Sequence, residues 1–354
     1  MKYKIVIVAG ARPNFMKIAP IIHELKLRKN IEYTLVHTGQ HYDQDMSDIF
    51  FTQLDIPVPD INLDVGSGSH AIQTALIMER FEKVCIKEDP DMLLVVGDVN
   101  STMACSLVAA KMGIKIAHYE AGLRSFDKSM PEEINRMVTD SICDYFFTTC
   151  QDATDNLKSE GKTDNVFFVG NVMIDTLINQ TMPIPLDLNN KYVLVTLHRP
   201  SNVDDVYNFH AIMDELLEIS NKIPVIFPMH PRTYKNLRDT KYINNESDLH
   251  CTGPEGYNEF LELQWNATAV ITDSGGIQEE TTYLNVPCLT LRDSTERPIT
   301  ITEGTNKLIT VSDIVYEVNE ILNGNGKIGK IPLGWDGRAA GRLVDVIDYM
   351  IRGV

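Results

Sequence analysis

KIVIVAGARPNFMK, residues 4–17, decides the fold. Ile5 to Ala9 form a short, β-branched apolar run, the signature of a strand buried on both faces. Gly10 then turns the chain into a helix start that carries Arg12, Pro13 and Lys17. Backbone amides, a guanidinium and an ammonium at a helix start suit a diphosphate. The same residues also suit a plain tight turn with solvated basic side chains.

The pattern repeats outward from this unit. YTLVHT near 33, MLLVVG near 92, IKIAHY near 114, YFFTT near 145 and VFFVG near 166 are short β-branched runs separated by helical stretches. That is the βαβ rhythm of a parallel, doubly wound sheet. A second series follows: YVLVTLH near 192, PVIFPMH near 224, TAVITD near 268, PCLTLR near 287 and KLITV near 307. Between the two series, NVMIDTLINQTMPIPLDLNN reads as a helix and a proline-rich linker, which sets a domain boundary near 171. The expected fold class is α/β, with two Rossmann-like doubly wound domains facing a cleft, 1–170 and 171–337. The last segment, 338–354, places Leu343, Ile347, Met350 and Ile351 at near-helical spacing and predicts an amphipathic helix that must dock.

At 354 residues the chain has room for two domains, and no run approaches the length of a membrane span. The opening apolar stretch is too short for a signal-peptide core, so export is not expected. Six cysteines are scattered without a CxxC pair, which suggests neither a disulfide framework nor structural zinc and fits a reducing, cytoplasmic setting. A formal net charge of -17 argues against a nucleic-acid partner. An anionic substrate must therefore be held by local arginines and dipoles.

In such sheets ligands sit at the carboxyl ends of strands. The first domain offers three acids there: Asp98 in GDVNST, Glu120 in HYEAGLRS, and Glu132 in MPEEINR with Arg136 beside it. Each has a plainer reading as a helix cap, an ion pair with Arg124, or a partner of a helix dipole. The second domain offers His198 and Arg199 after YVLVTL, His230 after PVIFPM, Phe260 in YNEFLEL, and Arg292, Glu296 and Arg297 in RDSTERPI. Taken singly, a structural histidine, a core phenylalanine and a salt-bridged loop are the plainer readings. TDSGGIQEE, 272–280, adds Ser274, Gly275 and Gly276 at a helix start, where a phosphate would be cradled. Glu280 lies about a turn inside, where its two oxygens could accept from the vicinal hydroxyls of a ribose. GNGKIG and GSGSHA match a dinucleotide fingerprint only in part and in the wrong context, so no nicotinamide cofactor is expected. Nor is a metal, since no HExxH or tight ligand cluster occurs.

GARPNFMK, GDVNST, EAGLRS, PEEINR, the HR of LHRPSN, DSGGIQEE and RDSTERP, in this order and over most of the chain, resemble the non-hydrolysing UDP-N-acetylglucosamine 2-epimerases. The resemblance implies a glycosyltransferase-B-like fold, UDP held mainly by the second domain, and a C-terminal helix crossing back to the first. It further implies cytoplasmic interconversion of UDP-N-acetylglucosamine and UDP-N-acetylmannosamine, feeding surface polysaccharide synthesis, usually by a homodimer. By motif, Asp98, Glu120 and Glu132 match the acid/base carboxylates and His198 the group serving the leaving diphosphate. Arg12 and Lys17 match the phosphate-side basic positions, Ser274, Gly275 and Gly276 the phosphate cradle, Glu280 the ribose clamp, and Phe260 the uracil-stacking position. Arg136, Arg199, His230 and Arg297 complete the expected substrate-binding set.

The chemistry implied is elimination of UDP to 2-acetamidoglucal and re-addition, which needs no redox cofactor. Two departures stand out. Pro200 occupies a position where many members carry a second arginine. Regulated bacterial members also use an arginine in the region aligned with VGSGSH, with a QH-containing loop, to hold substrate as an activator. Here Gln40 and His41 are present but no arginine lies between 65 and 79. Other readings of the same motifs are a 2-epimerase of another UDP-sugar such as a diacetamido uronic acid, a hydrolysing relative, a glycosyltransferase of the same fold, and a non-catalytic nucleotide-sugar sensor.

Overall fold

A computed structural model describes residues 2–39, 55–180, 191–229, 233–234, 237, 242 and 247–352. Gln40, His41 and most of the proline-rich linker lie outside the described residues. The chain divides into two compact units, 1–180 with 333–354, and 181–332.

The first unit holds a parallel seven-stranded sheet. Its strands are β1 (Tyr3–Ala9), β2 (Ile31–His37), β3 (Ile61–Asn62), β4 (Met92–Val96), β5 (Lys115–Tyr119), β6 (Tyr145–Thr148) and β7 (Val166–Phe168). They lie in the order β3-β2-β1-β4-β5-β6-β7. The chain winds from β1 out to β3, then crosses back to place β4 on the other side of β1. The carboxyl ends of β1 and β4 therefore flank the topological switch point. Every residue of β4 is buried, as a strand covered by helices on both faces requires. Val6, Val8, Val95, Ile77, Phe81 and Val108 form the core between this sheet and the helices His70–Glu88 and Asn100–Met112.

The second unit repeats the plan with six parallel strands: β8 (Val193–Thr196), β9 (Val225–Pro228), β10 (Leu249–Thr252), β11 (Ala269–Thr272), β12 (Cys288–Leu291) and β13 (Asn306–Ile309). Their order is β10-β9-β8-β11-β12-β13, so its switch point lies between β8 and β11. Its main core joins Val195, Phe227 and Ile271 of the sheet to Phe209, Met213 and Leu216 of the helix Val206–Ser220. Both units are doubly wound and Rossmann-like, as the two β-branched series predict.

The compact units divide later than residue 171. The helix Val172–Asn179 stays with the first unit because Tyr119 Oη accepts the Val172 N–H at 2.8 Å and Thr176 Oγ1 donates to the Met16 carbonyl at 2.5 Å. Residues 333–337 also return to it, and Arg342 donates to the carbonyls of Val169 and Gly334 at 2.7 and 2.9 Å. The C-terminal helix Ala339–Arg352 then packs on the helices Arg12–Lys26 and Val172–Asn179. Leu343 and Ile347 are buried there and Met350 and Ile351 half-buried. Asp175 accepts the Ala339 and Ala340 N–H groups at 3.1 and 2.7 Å, satisfying first-turn donors of that helix. No helix among the described residues is long and apolar enough to cross a membrane.

Candidate functional site

In the first unit, three strand ends converge on one glycine. Gly97 follows β4 with φ of +68°, and a Cβ added there would lie 3.0 Å from Lys17 Nζ and 3.4 Å from Glu120 Oε2. Absence of a side chain thus leaves room for a buried ion pair. Lys17, from the helix after β1, places Nζ 2.6 Å from Oε2 of Glu120, which directly follows β5. Glu120 itself holds φ of +73°, an uncommon value for a residue with a side chain. Backbone strain at a strand end that presents a carboxylate is a recurrent mark of a functional position.

Asp98 follows Gly97 and is half-buried. Its Oδ2 pairs with Arg136 Nη1, and Asn135 Nδ2 donates to its backbone carbonyl at 2.8 Å. Both partners project from the helix Pro131–Ile142, which is set by proline in its first turn. The two glutamates of that turn part company. Glu132 is exposed, whereas Glu133 is buried and accepts from Ser125 N at 2.9 Å, Phe126 N at 2.9 Å and Arg136 Nη2 at 2.7 Å. Burial alone would raise the Glu133 carboxyl, but these donors outweigh it and hold it below the usual range. Arg124 forks onto Glu160 at 2.7 and 2.9 Å. At the end of β1, Asn14 Oδ1 accepts the Gly10 and Ala11 N–H groups at 3.0 Å each, so the side chain organises the turn from within.

In the second unit the organiser is Asp273, at the carboxyl end of β11 and fully buried. It accepts the backbone N–H of His198 at 3.1 Å and of Arg199 at 3.0 Å, and Asn202 Nδ2 at 3.0 Å. His198 Nδ1 lies 2.9 Å from Oδ1 of Asp273, while the histidine side chain is 60% exposed. Burial would raise the Asp273 carboxyl, yet the hydrogen bonds from His198, Asn202 and Arg199 hold it low. One carboxylate thus orients the ring and leaves its outer edge open, the arrangement that suits a proton-transferring imidazole.

Ser274 precedes the helix Gly275–Leu284, with its amide donated to Thr272 Oγ1 at 3.0 Å. A Cβ on Gly275 would lie 2.6 Å from Arg297 Nη1. The glycine therefore lets a guanidinium approach the positive end of the helix, a place where backbone N–H groups can meet an anion. Glu279 and Glu296 both pair with Arg297, the first at 2.8 Å, and Arg292 pairs with Glu296 at 2.8 Å. Glu280 is buried, accepts Tyr257 Oη at 3.0 Å, and is pushed up to about 7 by burial. Phe260 packs half-buried against Tyr192, Leu194 and Val270. The side chain of Arg12 and all of His230 lie outside the described residues.

A family model described as UDP-N-acetylglucosamine 2-epimerase matches residues 23–348. The chain belongs to the UDP-N-acetylglucosamine 2-epimerase family. A UDP-N-acetylglucosamine 2-epimerase of Methanococcus maripaludis is 42% identical, over 98% of each chain. The crystal structure of Methanocaldococcus jannaschii UDP-GlcNAc 2-epimerase in complex with UDP-GlcNAc and UDP is 40% identical, with a TM-score of 0.88 over 98% of this chain and 99% of that one. A UDP-2,3-diacetamido-2,3-dideoxy-D-glucuronate 2-epimerase of Pseudomonas aeruginosa is 41% identical over 89% of this chain and 90% of its own.

Within this epimerase, most of the expected residues that are described fall into four local groups: Lys17 with Glu120, Asp98 with Arg136, His198 and Arg199 on Asp273, and the Ser274–Gly276 helix start, where Gly275 faces Arg297. Glu132, Phe260 and Glu280 join none of them. Sequence reading missed Asp273, Asn14 and Tyr257. Asp273 carried a signal, an acid between a strand and Ser-Gly-Gly; nothing local distinguishes Tyr257 from its neighbours.

Proposed function

We propose that this chain interconverts UDP-N-acetylglucosamine and UDP-N-acetylmannosamine by eliminating UDP and adding it back. The carrying observation is the pair of carboxylates, Asp98 and Glu120, that follow adjacent strands around Gly97 beside the switch point of the first sheet. In the proposed reaction a carboxylate takes the proton from sugar carbon 2. The electrons of that C–H bond form the C1=C2 double bond as the C1–O bond to UDP breaks. Protonation of carbon 2 from the opposite face, with return of the UDP oxygen to C1, completes inversion. The step is redox-neutral. Asp98, Glu120 and Glu132 are assigned the acid/base work, and His198 the proton balance of the departing diphosphate.

The second unit is assigned the nucleotide: Ser274, Gly275 and Gly276 the phosphate, Glu280 the ribose, Phe260 the uracil. Arg12, Lys17, Arg136, Arg199, His230 and Arg297 are assigned the remaining charge of the substrate. The helix start at Gly275, with the Arg297 guanidinium beside it, supports this division, because developing charge on a leaving diphosphate is best met by preorganised dipoles and cations. We place the reaction in the cytoplasm, in a homodimer. The 41% identity to a diacetamido-uronate epimerase favours one second reading, the same reaction on that uronic acid.

The test is incubation of the protein with each UDP-sugar in deuterated water, followed by NMR. Deuterium at carbon 2 with UDP still attached is the expected result, abolished in Asp98→Asn and Glu120→Gln variants that still bind UDP. Accumulation of free UDP and free sugar in step would replace this reading with hydrolysis, and exchange on the uronic acid alone would reassign the substrate.

A further inference from the structure

His118, in β5, is fully buried and joins the two turns that present the carboxylates. Its Nδ1 lies 2.6 Å from Oδ1 of Asp140, and its Nε2 lies 2.9 Å from the carbonyl oxygen of Gly97. Asp140 Oδ2 accepts the Gly122 N–H at 3.0 Å and Arg124 Nη1 at 2.7 Å. Asp140 and Arg136 project from one helix, four residues apart and hence on one face, so the helix that holds Asp98 also holds this imidazole.

Both acceptors constrain the ring. A carbonyl oxygen has no hydrogen to give, so Nε2 must donate to Gly97. Independently of the ring, Asp140 accepts the Arg124 guanidinium and the Gly122 N–H, partners that favour its ionised carboxylate. An ionised carboxylate also has no hydrogen to give, so Nδ1 must donate as well. Arg124 pairs with both Asp140 and Glu160, and Lys162 Nζ lies 3.3 Å from Glu160 Oε2, so both carboxylates of the cluster have cationic partners.

We propose that His118 is a positioning residue: a doubly protonated imidazole that ties the Gly97 carbonyl to Asp140, fixing the turn that carries Asp98 and seats the Lys17–Glu120 pair. Gly97 leaves little slack, since its would-be Cβ lies only 3.0 Å from Lys17 Nζ and 3.4 Å from Glu120 Oε2. Any drift of its carbonyl moves the seat of one carboxylate and the backbone of the other together. The importance of that drift rests on the reaction proposed above; the clamp itself does not.

Two substitutions separate the ring's two bonds. His118→Gln can place a donor near the former Nε2 and keep the bond to Gly97, whereas His118→Asn keeps a donor near the former Nδ1 and loses it. In the full chain, His118→Asn is expected to lower kcat on the order of a hundredfold with KM near wild type, the scale of a displacement of about 1 Å in reacting groups. Amide hydrogen exchange around Gly97 and Asp98 should accelerate in that variant, and His118→Gln should recover most of both. Nitrogen-15 histidine labelling of the wild type should show two protonated ring nitrogens for His118, signals lost in either variant. One ring N–H, or equal turnover and equal exchange in the two variants, would overturn the clamp. If neither variant folds, the ring signals of the wild type decide. An inactive wild type would refute the proposed reaction, while ring protonation and exchange would still decide the clamp.

Discussion

Lys17 Nζ lies 2.6 Å from Oε2 of Glu120, and both side chains are buried in the first unit. The ammonium comes from the helix after β1 and the carboxylate from the end of β5, so this bond crosses the switch point of the sheet. A buried pair is weak evidence for stability as such, but breaking one partner leaves an uncompensated charge.

Lys17→Met should therefore destabilise the protein by about 3–5 kcal/mol in urea unfolding, and Glu120→Gln added to it should restore much of that loss. If the double variant is no more stable than Lys17→Met, the pair is not what the lysine supports.

Gly275→Ala sets a methyl 2.6 Å from Arg297 Nη1 and 2.9 Å from Glu296 Oε1. Displacing the guanidinium should cost about 1–3 kcal/mol of stability, the usual penalty for overpacking. Under the proposed nucleotide assignment, calorimetry should also show UDP affinity falling at least about tenfold, the equivalent of roughly 1.4 kcal/mol. Unchanged affinity would remove the corner formed by Gly275 and Arg297 from the phosphate site.

Glu280 supplies a pH signature. Burial raises its carboxyl from 4.5 to about 7 in the folded state. The folded chain thus binds the proton more tightly than the unfolded one, and the stability this confers is complete below 4.5 and lost as pH rises through 7. Glu280→Gln remains neutral throughout. It should become the more stable protein above about pH 7, by a few kcal/mol at most, while binding UDP more weakly. A wild-type urea midpoint that falls no more steeply than the variant's across this window would contradict the assignment.

Asp175 tests the docking of the C-terminal helix. Asp175→Ala removes the acceptor of the Ala339 and Ala340 N–H groups and should cost about 1–2 kcal/mol, the scale of a lost N-terminal cap. Hydrogen exchange should quicken in residues 339–352 and leave the second unit unaffected. Uniform acceleration across both units would mean the helix end is not a local feature.

Glu132 and Glu133 show why part of the site was illegible. They are consecutive, identical in chemistry and equally placed in a first turn, yet about 100° apart around the helix axis. Only the rotation of the helix against its neighbours buries Glu133 on Ser125 and Arg136 and leaves Glu132 exposed. Strands β3 and β10 escaped notice for a related reason. One is two residues long, the other reads LHCT at a sheet edge, and neither carries the apolar run that marks an interior strand.

The order of residues alone determined that short apolar runs alternate with helices, that this happens twice, and that glycines, acids and bases stand at strand ends. Those properties follow from backbone sterics and from hydrophobic periodicity within a few turns of chain. Tertiary structure decided which ends meet. Lys17 and Glu120 are 103 residues apart, and His118 reaches the Gly97 carbonyl across 21. Such contacts depend on the side of β1 to which each parallel crossover returns, and on how each helix is rotated when it packs.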